Sequence, residues 1–299
     1  MIEKPTIIIT SLGRTGTKFF AALFRDLIPN AISLHEPDVF NFFQYESKKE
    51  RIRQTVKQIQ EVGLYNLFSR RAFGSVIELS DSRMRNDFEY EEFARQLLKL
   101  RCEFVESREG TIYVESSIGY YGLIDVLSCV YECHRVVYVV RDGRDWARSH
   151  MNWGEMYGKG KLRSIFAHTW PTAPEIAEDP YADQWSKMSR FEKICWAWVR
   201  LNRYALDTIQ QNPNARVFRF EDIFESEDRY QHLAELVNFA TDMPGVDPVP
   251  AEALEGWLDR RIHKSSGDFP AWPEWSTQQK QQFKEICGSL MEELGYELN

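Results

Sequence analysis

Between Thr6 and Phe20 the chain reads TIIITSLGRTGTKFF: a β-branched apolar run, a short polar loop, and a return to apolar residues. The loop gathers what an anion needs. A strand that ends in a glycine-containing turn and feeds a helix presents successive backbone N–H groups and the positive end of the helix dipole. Gly16 permits close backbone approach, Thr15 and Thr17 add hydroxyl donors, and Arg14 and Lys18 add cations. Each charge-assisted hydrogen bond of this kind contributes about 1.5–3 kcal/mol. The magnesium-dependent triphosphate pattern requires Gly directly before the Lys and Ser or Thr directly after it, the hydroxyl serving as metal ligand. Here Thr17 precedes Lys18 and Phe19 follows, so that ligand is missing and a P-loop kinase is disfavoured.

A second segment, VVYVVRDGRDWARSH over residues 136–150, repeats the plan with different side chains. An apolar strand ends at Arg141, turns at Asp142 and Gly143, and starts a helix that carries Ser149 eight residues after Arg141. A strand-end arginine and a helix-borne serine can converge on one phosphate at the sheet edge that also holds the first loop. Arg144 and Arg148, i and i+4 neighbours, read as a charged face turned to water, and His150 as a helix-face residue rather than a catalyst.

These groups have to be positioned by the elements around them. Short apolar runs at 6–10, 31–35, 111–117, 134–142 and 215–222 read as strands, and helical spacing runs through 17–28, 90–106, 121–132, 144–153 and 191–211. Nearly all-apolar strands, each followed by a helix, predict a three-layer α/β/α fold with a central, mostly parallel sheet. Ligands in such sheets bind at the carboxyl ends of the strands. Ser276 with Gln279 forms a capping box that opens a terminal helix. Residues 1–299 read as a single domain, with helical insertions at about 38–90 and 152–190. Long connections of that kind are usually lids or walls. Their aromatics, Phe40, Phe42, Phe43, Tyr45, Trp153, Tyr157, Trp170 and Trp185, either line an acceptor pocket or pack as core.

Composition narrows the function classes. With 299 residues and 43% hydrophobic content the chain can bury a large core, and its net charge of −8 argues against nucleic acid as a partner. The five cysteines, Cys102, Cys129, Cys133, Cys195 and Cys287, lack metal-ligand spacing, which predicts packed, reduced thiols, no structural zinc and a cytoplasmic location. No signal-peptide core precedes Thr6, and no apolar run reaches the ~18 residues a membrane span needs.

Taken together, the two loops resemble the sulfotransferase family. SLGRTGTKFF is similar to its 5′-phosphosulfate loop and VVYVVRDGRDWARSH to its 3′-phosphate motif; ARVFRFEDIF (215–224) resembles its late strand and GSLMEELGYE the closing helix of bacterial members. The resemblance implies a P-loop-like fold and transfer of a sulfuryl group from 3′-phosphoadenosine-5′-phosphosulfate (PAPS), without a metal, to a hydroxyl or amine. The acceptor would be a small molecule, a carbohydrate or lipid-like. Arg14, Thr15, Gly16, Thr17 and Lys18 would wrap the phosphosulfate, with Arg14 stabilising the bridging oxygen. Phe19 would stack on adenine or belong to the core. Arg141 and Ser149 would grip the 3′-phosphate, and Lys264 and Ser265 in HKSSGDFPAWPEWS would close over the donor or lie in a surface loop.

An attacking hydroxyl needs a proton acceptor, and the resemblance points to Glu36 in SLHEPDVF, with His35 as the competing candidate. Neighbouring side chains alternate along a strand, so only one of them faces the cleft. Many family members carry a lysine where this chain has Ser116 and Ser117. Lys18 can supply that charge, or the acceptor is anionic and positioned differently; the missing lysine also leaves open a chain that binds PAPS or its bisphosphate product without turnover. Asp145 and the run RFED (219–222) read as structural.

Overall fold

The β-branched runs become the strands β1 (Thr6–Thr10), β2 (Ala31–His35), β3 (Ile112–Ser116), β4 (His134–Val140) and β5 (Ala215–Arg219). The structure, a computed structural model, describes residues 1–38, 75–85, 89–154, 156–158, 170–259 and 267–298, with isolated positions between 49 and 60. Among the described residues the helices are α1 (Thr17–Leu27), α2 (Val76–Met84), α3 (Tyr90–Glu106), α4 (Leu127–Val130) and α5 (Gly143–Trp153). They continue with α6 (Arg190–Gln210), α7 (Phe220–Phe224), α8 (Arg229–Thr241) and α9 (Thr277–Glu293).

The strands form one sheet in the order β2-β3-β1-β4-β5, parallel throughout. β1 lies in the middle; the chain crosses from it to the edge strand β2, returns inward through β3, and then passes outward on the other side through β4 and β5. That reversal opens a crevice at the carboxyl ends of β1 and its neighbours, where ligands of open α/β sheets bind. Both faces of the sheet are covered, so the strands are apolar on both. Ile7, Ile9, Val137 and Val139 pack with α1 and α8 through Phe20, Phe24, Leu233 and Val237. Ile8, Val136, Tyr138 and Val140 pack on the opposite face with Phe93, Leu97, Trp198 and Phe283 of α3, α6 and α9. The result is a three-layer α/β/α fold. Reciprocal capping boxes start α2 (Ser75 with Glu78), α6 (Ser189 with Glu192) and α9 (Ser276 with Gln279).

Two elements depart from the sequence reading. Residues 121–132, expected as a helix, form turns and the single turn α4; Tyr121, Leu123, Ile124, Val126, Leu127 and Val130 are all buried. Burial on every side mimicked the apolar repeat of an amphipathic helix. Second, α8 was not anticipated, and α2 lies within a stretch read as an insertion.

Candidate functional site

The sheet topology places the two expected anion loops side by side. β1 pairs with β4, with Thr10 opposite Tyr138, so the segments leaving their carboxyl ends run next to each other. After β1 the chain must turn sharply into α1. Gly13 (φ 81°), Arg14 (φ 60°) and Gly16 (φ 82°) all adopt the left-handed backbone that makes this turn. A Cβ on Gly16 would stand 3.1 Å from the Phe224 ring, so the position is both conformationally and sterically a glycine position. Gly13 N–H donates to Ser11 Oγ at 3.1 Å, and the Thr15 hydroxyl donates to the same oxygen. No side chain caps α1 and its first turn holds no acidic residue, leaving the positive helix end to a ligand.

The second loop is held more firmly. Asp142 caps its own helix by accepting from Arg144 N–H at 2.8 Å. Asp142 N–H donates to Glu221 Oε1 at 2.9 Å, and the Tyr296 hydroxyl donates to Glu221 Oε2 at 2.7 Å. The RFED run therefore clamps the turn to the segment that follows α9. Trp198 Nε1–H donates to the Arg141 carbonyl at 3.0 Å. Gly143 is required beside it, because a Cβ there would meet the Trp198 ring at 3.0 Å and the Phe283 ring at 3.1 Å.

The loops meet through the residues singled out from sequence. Arg14 Nε–H donates to Ser149 Oγ at 2.8 Å, and Arg141 Nη1–H donates to the Arg14 carbonyl at 2.7 Å. The Arg141 guanidinium lies over the Phe220 ring at 4.5 Å, while its buried Nε has no hydrogen-bond partner among the described residues. The Ser116 hydroxyl, fully buried at the end of β3, is likewise unpartnered. Burial and the charge of Arg141 weaken the hold of Arg14 on its proton, and Glu36 works the other way. Two guanidiniums, a lysine, uncapped amides and unfilled buried polar atoms form a donor set suited to phosphate or sulfate groups.

Opposite them stand His35 and Glu36. Thr17 Oγ1 and His35 Nε2 share a hydrogen bond at 3.0 Å, and His35 Nε2 is 3.7 Å from Glu36 Oε1. Burial, with Lys18 and Arg25 adding to it, pushes the His35 pKa down to about 3, so the ring is neutral. Burial pushes the Glu36 carboxyl up to about 7 against the opposing pull of Lys18 and Arg14. Glu36 also has positive φ, 41°, although it precedes Pro37.

Two sequence readings are corrected, that of Phe19 and that of Arg144 with Arg148. Phe19 is 4% exposed and packs edge-on against Phe20, Phe224 and Trp257, so its ring has no free face for a base and belongs to the core. His150 lies on the buried face of α5, bonded through Nδ1 to the Trp146 carbonyl and held neutral by burial. Arg144 pairs with Asp142 and lies over the Trp272 ring, and Arg148 Nε–H donates to the Phe269 carbonyl, so neither is a free charge in water. Lys264, Ser265, Phe40, Phe42, Phe43 and Tyr45 lie outside the described residues. Tyr157, Trp170 and Trp185 pack against the core, whereas Trp153 is exposed.

Sequence reasoning missed a buried charge cluster that includes Asp38, two residues after Glu36. Arg101 of α3 donates to both oxygens of Asp38, at 3.2 and 2.7 Å, to both of Glu115, at 3.0 and 2.9 Å, and to the Tyr120 hydroxyl at 2.9 Å. Burial opposes the Arg101 charge, and Asp38 and Glu115 more than offset it. The available signal was a cation in line with the apolar stripe Phe93, Leu97 and Phe104.

No protein-family model matches the chain, and no curated protein matches it. Among solved structures, the sulfotransferase from Alicyclobacillus acidocaldarius is similar, with 14% identity, a TM-score of 0.40 and 99% of this chain covered against 98% of that one. Among the described residues no helix is long and apolar enough to cross a membrane, and no group of His, Cys, Asp and Glu is arranged to hold a metal.

Proposed function

We propose that the chain is a PAPS-dependent sulfotransferase. The observation that carries this reading is the direct link between the two anion loops: Arg14 bonded to Ser149 and Arg141 bonded to the Arg14 backbone, although the paired residues lie more than a hundred positions apart. One loop alone suits any phosphate. Two interlocked loops with separate cations suit a nucleotide with phosphate at two places, and the Thr17-Lys18-Phe19 sequence lacks the hydroxyl that would recruit magnesium.

In this reading the backbone from Gly13 to Lys18, with Thr15, Thr17, Arg14 and Lys18, binds the phosphosulfate, and Arg141 and Ser149 bind the 3′-phosphate. The resemblance adds Lys264 and Ser265 as further donor-binding residues. The sulfur–oxygen bond to the phosphate breaks as a new one forms to the acceptor oxygen. The acceptor proton passes to Glu36, which at neutral pH is poised between its two states, whereas a neutral His35 with a pKa near 3 is too weak a base. Arg14 and Lys18 stabilise the charge that develops on the leaving phosphate. His35 instead fixes Thr17. The whole chain acts as one unit in the cytoplasm, and residues 38–90 and 152–190 supply the wall for a small-molecule, carbohydrate or lipid-like acceptor, with the exposed Trp153 at its edge.

The direct test is conversion of radiolabelled PAPS to adenosine 3′,5′-bisphosphate in the presence of chelator and a panel of aryl, sugar and lipid alcohols. Acceptor-dependent conversion without magnesium is expected. Conversion of ATP in place of PAPS, or a strict need for magnesium, would overturn the assignment.

A further inference from the structure

Glu36 holds a backbone conformation that its sequence disfavours. A residue before proline favours extended backbone, yet Glu36 precedes Pro37 with φ of 41°. Such conformations are strained and persist where the surroundings over-determine them. On one side the constraint is the ladder bond from Glu36 N–H to the Ser116 carbonyl, 2.9 Å. On the other side, the anchored residue is Asp38.

Asp38 is gripped at both oxygens by Arg101, and its Oδ2 also accepts from Val76 N–H at 3.1 Å. Arg101 is in turn fixed by Glu115, to which the Tyr113 hydroxyl donates at 2.6 Å. The Arg101, Asp38 and Glu115 side chains are only 3%, 7% and 0% exposed, so the fork works where water cannot compete. A buried trio of charges is seldom the most stable filling of a core, and the best-attested use of such groups is to fix position. Here it joins α3, β3, the exit of β2 and the start of α2.

We infer that Arg101 is a positioning residue: through Asp38 it holds the exit of β2, and with it the Glu36 carboxyl, beside Arg14 and Lys18. This inference rests on the reading of Glu36 as proton acceptor. The charged and titratable groups facing Glu36 are Lys18 from α1, Arg14 from the first loop and His35 from β2.

The test is a carbon-13 NMR titration of the Glu36 carboxyl in the full chain, its resonance assigned as the one lost in Glu36→Gln. Asp38→Asn loosens the fork on the loop while leaving Arg101 paired with Glu115. Glu115→Gln removes the same charge from the same cluster while leaving the loop gripped. Asp38→Asn should lower the Glu36 midpoint by about one pH unit or more as the carboxyl reaches water, with Glu115→Gln moving it by less than about half as much. No shift in Asp38→Asn, or equal shifts in both, overturns the positioning role. If Asp38→Asn does not fold, Arg101→Lys, which keeps the charge and loses the fork, is read in the same way. Titration of these proteins with adenosine 3′,5′-bisphosphate separates the two proposals. A wild-type chain that binds none defeats the sulfotransferase reading and leaves the carboxyl titration to decide the positioning role; unchanged affinity beside a displaced Glu36 midpoint supports both.

Discussion

At the scale of residues, Glu36 carries the sharpest consequences. A proton acceptor works only when deprotonated, so kcat/KM should climb about tenfold per pH unit below a midpoint near 7 and level off above it. Glu36→Gln should erase that limb and cost about 10²–10⁴-fold in kcat, read from initial rates of PAPS consumption. Its effect on stability has the opposite sign. Burial raises the folded-state pKa from an ordinary 4.5 to about 7, so the folded chain holds this proton more tightly than the unfolded one. That contribution is complete below pH 4.5 and is lost as pH rises through 7. Glu36→Gln should therefore melt above wild type at pH 8, by up to about 3 kcal/mol, and level with it at pH 4. A variant less stable than wild type at pH 8 would contradict the buried-carboxylate account. That Arg14, Arg141 and Ser149 come together could be read from sequence, because strand-to-helix turns place all three at one edge of the sheet, where the structure bonds them to one another. Arg101 could not, since its partners Asp38 and Glu115 lie far off in sequence and reach it only through the fold. Phe19 misled because an aromatic at the start of an amphipathic helix looks the same whether it greets a ligand or enters the core.

Elements determine whether those residues converge. β4 and α5 are joined by a turn with no spare room: Gly143 sits against the Trp198 and Phe283 rings, both buried. Gly143→Ala should lower stability by about 1–3 kcal/mol in urea denaturation, through overpacking rather than backbone strain. Because the Trp198 indole also holds the Arg141 carbonyl, the same variant should weaken bisphosphate binding. Unaltered stability would mean that the turn is looser than described. β1 and β2 were legible to the residue and β3 and β4 to within two, whereas the run 215–222 reads three residues past Arg219 into α7, because the aromatic Phe220 continues the apolar pattern. Helices buried on one face, α1, α5 and α6, were legible as well. The stretch 121–132 was not, because its side chains are buried all round and periodicity no longer reports a helix. α8 carries little amphipathic contrast, with Leu233, Leu236, Val237 and Ala240 inside a mixed sequence.

At the scale of the whole molecule, strand order turns two distant motifs into one site. β1 lies between β3 and β4, so the loops after β1 and β4 and the residues ending β2 share one edge of the sheet. The parallel three-layer plan follows from apolar strands alternating with helices; the order of the strands does not, since no single segment encodes its neighbours. The central claim is that this edge recognises a nucleotide by phosphates at both the 3′ and 5′ positions, without metal. A calorimetric titration with adenosine 3′,5′-bisphosphate beside ADP, both without magnesium, tests it most directly. The account predicts tight binding of the bisphosphate and little response to ADP, whereas equal binding of the two, or none until magnesium is added, would contradict it.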